Sequence, residues 1–307
     1  MQKRLVRKHP EWPTPASLFI FFVLSLATPL GARERIVRTQ LLMGNVPVSI
    51  TIDSTPGFRT KALKAMEASF AEAKRIEETV SEWKTASQTS LLNQNAGRDW
   101  IPIGRDLMTI LLRAQEISEE TKGAFDVTFA SSDKKATYHD LQLLPDLSLA
   151  RLKRKKMKLG VSGIAKGYIV DCMSDVLKKN GLHHFIVNAG DLYFGGSWKT
   201  GIKNPDDPEG PPLCSFWARD QAVSTSGLYE RGSHIINPKT KKPATHAKSV
   251  TVVTRHSVDA DAWGTALFVL GEQRGIEVLK NHPELVAVIV GDSLFNHSTD
   301  CVPIDKP

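Results

Sequence analysis

Hydrophobic positions follow two periods along the chain, one typical of strands and one typical of helices. Apolar residues at every second position from Val46 to Ile52 predict strands within residues 36–52, joined by a turn at residues 43–45. Apolar residues at helical spacing predict a long helix over residues 62–80. A second helix is predicted from about residue 104 to residue 121.

The same two patterns continue through the second half of the chain. Helices are predicted over residues 259–270 and 276–280, and a loop rich in proline and glycine over residues 201–212. Strands are predicted at residues 184–188, around 216 and 222–223, at 250–254 and, as the last strand, at 285–290. Because strands and helices mix without a regular alternation, the predicted fold class is α+β, with mixed or antiparallel sheets packed by helices.

The first 32 residues have the pattern of an export signal. Basic residues from Lys3 to Lys8 precede an apolar run at residues 16–27 that is too short to span a bilayer comfortably. Cleavage is expected after Ala27 or Ala32, and an uncleaved membrane anchor is the alternative. We therefore expect residues 1–32 to be a signal segment, residues 33–307 to be one large domain, and the protein to be periplasmic.

The charge of the chain limits the kinds of partner that are expected. The net charge of +7 includes four basic residues and one acidic residue in the first 32, which leaves +4 for the rest. A basic cluster at residues 151–158 has no accompanying nucleic-acid motif, so no nucleic-acid partner is expected.

Three cysteines, Cys172, Cys214 and Cys301, cannot all pair within one chain. An oxidising compartment permits a disulfide between Cys214 and Cys301, which the sequence alone leaves open.

Residues 160–171 contain a glycine motif, with three glycines within eight residues. Gly160, Gly163 and Gly167 surround Lys166, and an apolar periodic run follows. We interpret this pattern as a tight loop leading into a helix that ends near residues 180–181. Backbone amides at glycines, a helix amino end and a lysine suit a phosphate or pyrophosphate. The pattern is neither a P-loop nor GxGxxG, and a plain turn between strand and helix is the alternative.

A second candidate site lies at the start of the helix predicted over residues 259–270. Asp261 and Thr265 are four residues apart and therefore share one helix face. A carboxylate and a hydroxyl are suitable oxygen ligands for Mg²⁺. The alternative is structural, with Asp259 or Asp261 capping the helix and Thr265 bonding to the backbone.

Taken together, seven motifs give a more specific result than any one of them. They occur in the order Ser81-Glu-Trp with Ser90-Leu-Leu-Asn93, Gly123-Ala-Phe-Asp-Val-Thr128, Gly163-Ile-Ala-Lys-Gly-Tyr168 with Asp171, Val187-Asn-Ala-Gly-Asp191, Ser224-Thr-Ser-Gly227, His234-Ile-Ile-Asn-Pro238 and Ala260-Asp-Ala-Trp-Gly-Thr-Ala-Leu-Phe-Val-Leu-Gly271. This series resembles the ApbE family of periplasmic FAD:protein FMN transferases. The resemblance covers roughly residues 36–290.

The resemblance implies an activity and its partners. Family members use Mg²⁺ to split the pyrophosphate of FAD, join FMN through a phosphoester to a threonine of an acceptor flavoprotein, and release AMP. The expected partners are FAD and such an acceptor, a subunit of a membrane redox complex. Hydrolysis of FAD to FMN and AMP, and flavin binding without turnover, are the alternatives.

The resemblance also implies roles for individual residues. Asp261, Thr265 and a backbone carbonyl at Ala165 would hold the metal, and Lys166 would act in catalysis. The cofactor-binding set would be Gly163, Ala165, Lys166, Gly167, Asn188, Asp191, Thr225, Ser226 and Gly227. His234 is the candidate for handling the acceptor hydroxyl proton, with a structural role as its alternative. The family commonly has an acidic residue and then leucine before the Gly-Ile-Ala-Lys core, whereas this chain has Gly160, Val161 and Ser162.

Overall fold

The structure, a computed structural model, describes residues 33–55, 57–228 and 235–291 and the backbone of the strands at 294–297 and 302–303. The predicted signal segment at residues 1–32 and His234 lie outside the described residues. The described strands are β1 (Glu34–Leu42), β2 (Val46–Ser54), β3 (Ile101–Pro102), β4 (Leu141–Leu144), β5 (Leu149–Leu152), β6 (Phe185–Asn188), β7 (Leu192–Ile202), β8 (Cys214–Gly227), β9 (Ser249–Thr254), β10 (Val286–Val290), β11 (Leu294–His297) and β12 (Val302–Pro303). The described helices are α1 (Arg59–Val80), α2 (Gln88–Gln94), α3 (Arg105–Glu120), α4 (Ser162–Lys179) and α5 (Ser257–Leu279).

Most of the described strands belong to one antiparallel sheet. Its order is β1-β2-β6-β7-β8-β9-β10-β11, and β12 pairs with β8 outside this path. Strands β3, β5 and β4 form a small second sheet in that order. All described strand pairs are antiparallel, which confirms the predicted α+β class.

Side chains that alternate along the strands give the large sheet an apolar face on each side. On β9, Val250 and Val252 belong to the main core with residues of α1, α4 and α5, whereas Val253 packs in a separate cluster with Phe194 and Trp198. Successive side chains of a strand point to opposite faces, so one strand serves both clusters. The helices therefore cover one face of the sheet, and α4 and α5 pack against each other within that layer.

The glycine motif is helical where the sequence predicted a loop. Helix α4 begins at Ser162, so Gly163 and Gly167 lie in its first two turns and only Gly160 precedes it. The interpretation as a tight loop is therefore wrong for Gly163 and Gly167. A Cβ atom on Gly167 would collide with the carbonyl oxygen of Ser257 at the start of α5. This glycine is needed for close helix packing rather than for a special backbone angle.

Other differences concern the ends of elements. The short helix α2 was not predicted, and two further strands follow β10, so residues 285–290 are not the last strand. Gly271 has a φ of +71° inside α5, and this kink separates two helical parts much as the sequence predicted. Cys214 is disulfide-bonded, Cys172 is a free thiol, and Cys301 lies outside the described residues. No helix in the described part of the chain is long and apolar enough to cross a membrane.

Asp171 joins α4 to the amino end of α5. Its Oδ1 accepts a hydrogen bond from the Ser257 amide at 2.7 Å, and its Oδ2 accepts one from the Val258 amide at 3.0 Å. The residue preceding α5, His256, makes no capping bond through its own side chain. Asp171 therefore satisfies amides that the start of a helix otherwise leaves unpaired.

Asp171→Ala is expected to destabilise the protein by about 2 kcal/mol, the upper end for loss of a helix cap, because two partly buried amides lose their acceptor at once. Urea unfolding followed by circular dichroism measures the change. Asp171→Asn should fall between the alanine variant and the wild type, because one amide oxygen can still accept. An alanine variant as stable as the wild type would contradict this capping role.

Candidate active site

A cavity of about 400 Å³ lies where several elements begin or end. The first turns of α4 and α5, the turn between β6 and β7, and the end of β8 form one side of it. The end of α1 with the following residues 81–84, together with segments 124–129 and 235–238, completes the wall. Helix amino ends and strand ends expose unpaired backbone groups, so their convergence provides polar groups for a ligand.

The structure brings most of the predicted site residues to this cavity. The predicted residues that line it are Gly163, Ala165, Lys166, Asp191, Thr225, Ser226, Gly227, Asp261 and Thr265. Gly167 is not among the lining residues, and its amide donates a hydrogen bond to Asp261 Oδ2 at 3.1 Å. Asn188 also lies outside the lining, where its Oδ1 accepts from the Gly190 amide at 2.9 Å and shapes the turn that presents Asp191. The roles assigned to these residues stay predictions, as does that of His234.

A lysine between two buried carboxylates forms the centre of the site. Lys166 Nζ lies 2.6 Å from Asp191 Oδ2 and 3.0 Å from Asp261 Oδ1. Asp191 is 3% exposed and Asp261 4% exposed. Ser224 Oγ donates to the other oxygen of Asp191 at 2.5 Å. The three charged side chains come from α4, the β6–β7 turn and α5, so this contact fixes the three elements relative to one another.

The pKa values follow from burial and from this arrangement. Burial raises the pKa of Asp261 to about 7, and the nearby Asp191 carboxylate adds to the effect, while Lys166 and the Gly167 amide oppose it. Burial disfavours the charge on Lys166, but Asp191 and Asp261 outweigh it and raise the pKa of the lysine. Lys166 is therefore a fixed positive charge, and an added cation would favour the ionised form of Asp261.

The donor set at α5 fits a hard cation. Asp261 and Thr265 line the cavity from one face of the helix, and Thr265 Oγ1 lies 3.4 Å from the position that a Cβ atom would take on Gly163. Carboxylate and hydroxyl oxygens are ligands that Mg²⁺ accepts, usually together with water and phosphate oxygens. The described residues hold no cluster of three or more His, Cys, Asp or Glu side chains suited to a metal. Any ion here would therefore need ligands beyond the side-chain carboxylates.

Sequence reasoning missed the part of the cavity wall that lies near the start of α4. Glu82 Oε2 accepts a hydrogen bond from the Val161 amide at 2.7 Å. Asp126 accepts from both the amide and the hydroxyl of Thr128 at 2.7 Å. The aromatic rings of Phe125 and Phe129 line the same wall. Glu82 and Phe125–Thr128 lie within motifs that carry the family resemblance, but no periodicity or spacing indicates that they meet α4.

The cavity wall has an excess of negative charge. Its carboxylates are Glu77, Glu82, Asp126, Asp191 and Asp261, and its cations among the described residues are Lys84 and Lys166. The formal balance with every group ionised is −3. A ligand carrying a diphosphate would be repelled unless a cation accompanied it. Aromatic side chains and a few placed charges are typical of a small-molecule site.

Comparisons with known proteins agree with this fold. The described antiparallel sheet and its helices have the fold of flavin transferases of known structure. The structure named "Flavin Transferase ApbE from Vibrio cholerae" superposes with a TM-score of 0.74 at 22% identity, over 87% of this chain and 98% of that chain. The ApbE protein of Thermotoga maritima gives a TM-score of 0.75 at 23% identity, over 86% of this chain and 97% of that chain.

Sequence comparison then gives the family itself. Residues 43–290 match the sequence model of the ApbE family, and the chain belongs to that family. A relative named FAD:protein FMN transferase, from Klebsiella pneumoniae (strain 342), is 28% identical over 254 residues, covering 72% of this chain and 80% of the relative. A protein of the same name from Treponema pallidum (strain Nichols) is 26% identical over 314 residues, covering 85% of this chain and 86% of the relative.

Proposed function

We propose that this protein is an FAD:protein FMN transferase that requires Mg²⁺. Its relatives carry that name, and the cavity contains the charged groups that such a reaction needs. The observation that carries the proposal is the meeting of Lys166, Asp261 and Thr265 at the contact between α4 and α5. FAD would be the substrate, a threonine of another protein the acceptor, and AMP the leaving group.

The reaction exchanges the phosphoanhydride bond of FAD for a phosphoester bond to the acceptor. The acceptor hydroxyl oxygen attacks the phosphorus of the FMN half, the bond to the bridging oxygen breaks, and that oxygen leaves with AMP. Such transfers depend on positioning and on neutralising phosphate charge rather than on a protein nucleophile. Lys166 would contribute a fixed positive charge beside the diphosphate. His234, outside the described residues, is proposed to accept the hydroxyl proton.

The metal has a defined place in this proposal. Asp261, Thr265 and the backbone carbonyl of Ala165 would hold Mg²⁺. When bound, the ion would neutralise charge on the phosphate oxygens. The negative balance of the cavity wall supports this requirement, because the diphosphate of FAD adds further negative charge to an already acidic cavity.

We also propose an exported protein. The signal-like residues 1–32 support periplasmic localisation, either as a cleaved form or held by an uncleaved anchor. The acceptor would then be a flavoprotein subunit of a membrane redox complex that exposes its threonine on the same side. Detection of the protein in fractions of cells that express it with or without residues 1–32 tests this localisation.

The activity is tested by incubating the purified protein with FAD, Mg²⁺ and a candidate acceptor domain, with and without EDTA. We expect AMP release and covalent flavin on the acceptor, seen by in-gel fluorescence, and we expect EDTA to abolish both. A control acceptor in which the target threonine is alanine should remain unlabelled. If AMP and only free FMN form in the presence of an acceptor that a related transferase does label, the result would favour hydrolysis of FAD. FAD that stays bound and uncleaved with and without EDTA would contradict an enzyme.

A further inference from the structure

The side chain of Glu82 connects the end of α1 with the start of α4. It lies just beyond the end of α1, half-buried, and lines the cavity. Its Oε2 accepts the Val161 amide at 2.7 Å, although 79 residues separate the two. Glu82 therefore holds the amino end of α4, whose first turns carry Gly163 and Lys166.

Helix α4 has no cap of its own. Its N-cap residue, Val161, makes no side-chain hydrogen bond, and no acidic residue lies in the first turn. The amino end of a helix carries partial positive charge and favours an anion. The Glu82 carboxylate supplies that anion from a distant part of the chain. A ligand phosphate would have to displace Glu82 to reach this end of the helix.

The second oxygen of Glu82 faces a glycine. Oε1 lies 3.6 Å from the position that a Cβ atom would take on Gly160, which also lines the cavity. Gly160 has no side chain to cover this oxygen, and the ring of Phe129 packs over the same glycine. Burial raises the pKa of Glu82, while the Val161 amide, the charge of Lys158, and hydrogen bonds from the hydroxyl and amide of Ser162 oppose the shift. An ionised carboxylate has about four lone-pair sites, so these three donors leave acceptor capacity for a ligand.

The neighbouring charges favour donors rather than phosphates at this end. Glu77 and Asp126 also line the cavity. The lining cation Lys84 is already paired with Glu77 at 3.3 Å and with Glu78 at 2.5 Å, and the charge of Lys158 acts on Glu82 itself. Lys166 lies between Asp191 and Asp261. The surroundings of Lys166 therefore suit a diphosphate, whereas the amino end of α4, already occupied by Glu82, suits hydroxyl or N–H groups.

We propose that Glu82 positions the dinucleotide: its carboxylate occupies the amino end of α4, directs the diphosphate to Lys166, and offers Oε1 to hydroxyl or N–H donors of the ligand. This inference rests on the proposed function, because it takes FAD as the ligand. The donors belong either to the ribityl and ring groups of the flavin half or to the ribose and adenine of the AMP half.

The test compares wild type, Glu82→Ala, Glu82→Gln and the control Glu78→Gln, which alters an exposed neighbour outside the cavity. FAD affinity is measured by flavin fluorescence, and KM and kcat by FMN transfer to an acceptor domain. For Glu82→Ala we expect the dissociation constant and KM for FAD to rise about 10-fold, as for loss of a charged hydrogen bond, with a smaller change in kcat. Inorganic pyrophosphate should inhibit this variant more strongly than wild type, because the end of α4 is then open to an anion.

The conservative variant separates positioning from folding. Glu82→Gln keeps an oxygen for the Val161 amide, so its melting temperature should match wild type, while its loss of charge should still strengthen inhibition by pyrophosphate. Titration with FMN and with AMP shows which half of the ligand loses affinity. Unchanged FAD affinity in Glu82→Ala, or equal weakening of FAD and pyrophosphate, would overturn the proposal. A wild-type protein that binds no FAD would instead overturn the proposed function.

Discussion

Asp261→Asn is expected to reduce FMN transfer by at least about 100-fold, since losing a metal ligand removes several kcal/mol of transition-state stabilisation. The protein should nevertheless stay folded. Lys166 keeps Asp191 as a partner at 2.6 Å, and burial already disfavours the charge of Asp261. The amide oxygen of the variant can still accept from Gly167. Initial rates of FMN transfer and thermal melting, measured on the same preparation, check both parts.

Asp259→Asn is the matched control for this substitution. Asp259 lies two residues earlier on α5 and forms an ion pair with Arg113 at 2.6 Å, outside the cavity lining. Losing a partly exposed ion pair should cost no more than about 1 kcal/mol, and activity should stay close to wild type. If Asp261→Asn were as active as Asp259→Asn, the Asp261–Thr265 pair would not hold the metal and the proposed site would be wrong.

Local patterns predicted the elements that carry the site, because helices and simple strands follow from nearby residues. The helix predicted over residues 62–80 corresponds to α1, and the spacing of Asp261 and Thr265 places both on the cavity side of α5. Both results depend on helical periodicity alone. The family resemblance then selected the glycine motif and the polar turn at residues 188–191, which periodicity could not have connected.

Contacts between distant residues could not be predicted in the same way. Strand β7 was not predicted at all, since Gly195 and Gly196 interrupt its alternation and its pairing with β8 shifts between Phe194 and Ser197. A Cβ atom on Gly195 would collide with the ring of Phe185, so this glycine is explained by a neighbouring strand. The role of Glu82 at the start of α4 likewise depends on a fold that brings residues 82 and 161 together.

The glycine content of residues 160–167 led to the wrong prediction of a loop where α4 begins. Glycine weakens a helix by about 1 kcal/mol relative to alanine, so three glycines in eight residues favoured a loop. At Gly167 the close approach of α5 outweighs that cost, because a methyl group there would occupy the place of the Ser257 carbonyl oxygen. Two glycines in one motif therefore have different reasons to be present, and substitution can separate them.

Gly167→Ala is expected to destabilise the protein by about 3 kcal/mol, since inserting a methyl group into a closed helix contact outweighs the gain in helix propensity. For a domain of this size, the melting temperature should fall by about 10 °C. The collision is with backbone rather than with a flexible side chain, so α4 and α5 must move apart. That movement would also separate Lys166 from Asp261, and transfer activity should fall with stability.

Gly163→Ala is the control that distinguishes packing from ligand access. Its Cβ atom would lie 3.4 Å from Thr265 Oγ1 and 3.5 Å from the ring of Phe125, both ordinary contacts. Stability should stay within about 1 kcal/mol of wild type, because helix propensity favours alanine. Activity should still fall, since the methyl group would project beside Thr265 on the cavity wall. Equal melting temperatures for Gly167→Ala and Gly163→Ala would show that the α4–α5 contact relaxes freely, and would remove the packing explanation for Gly167.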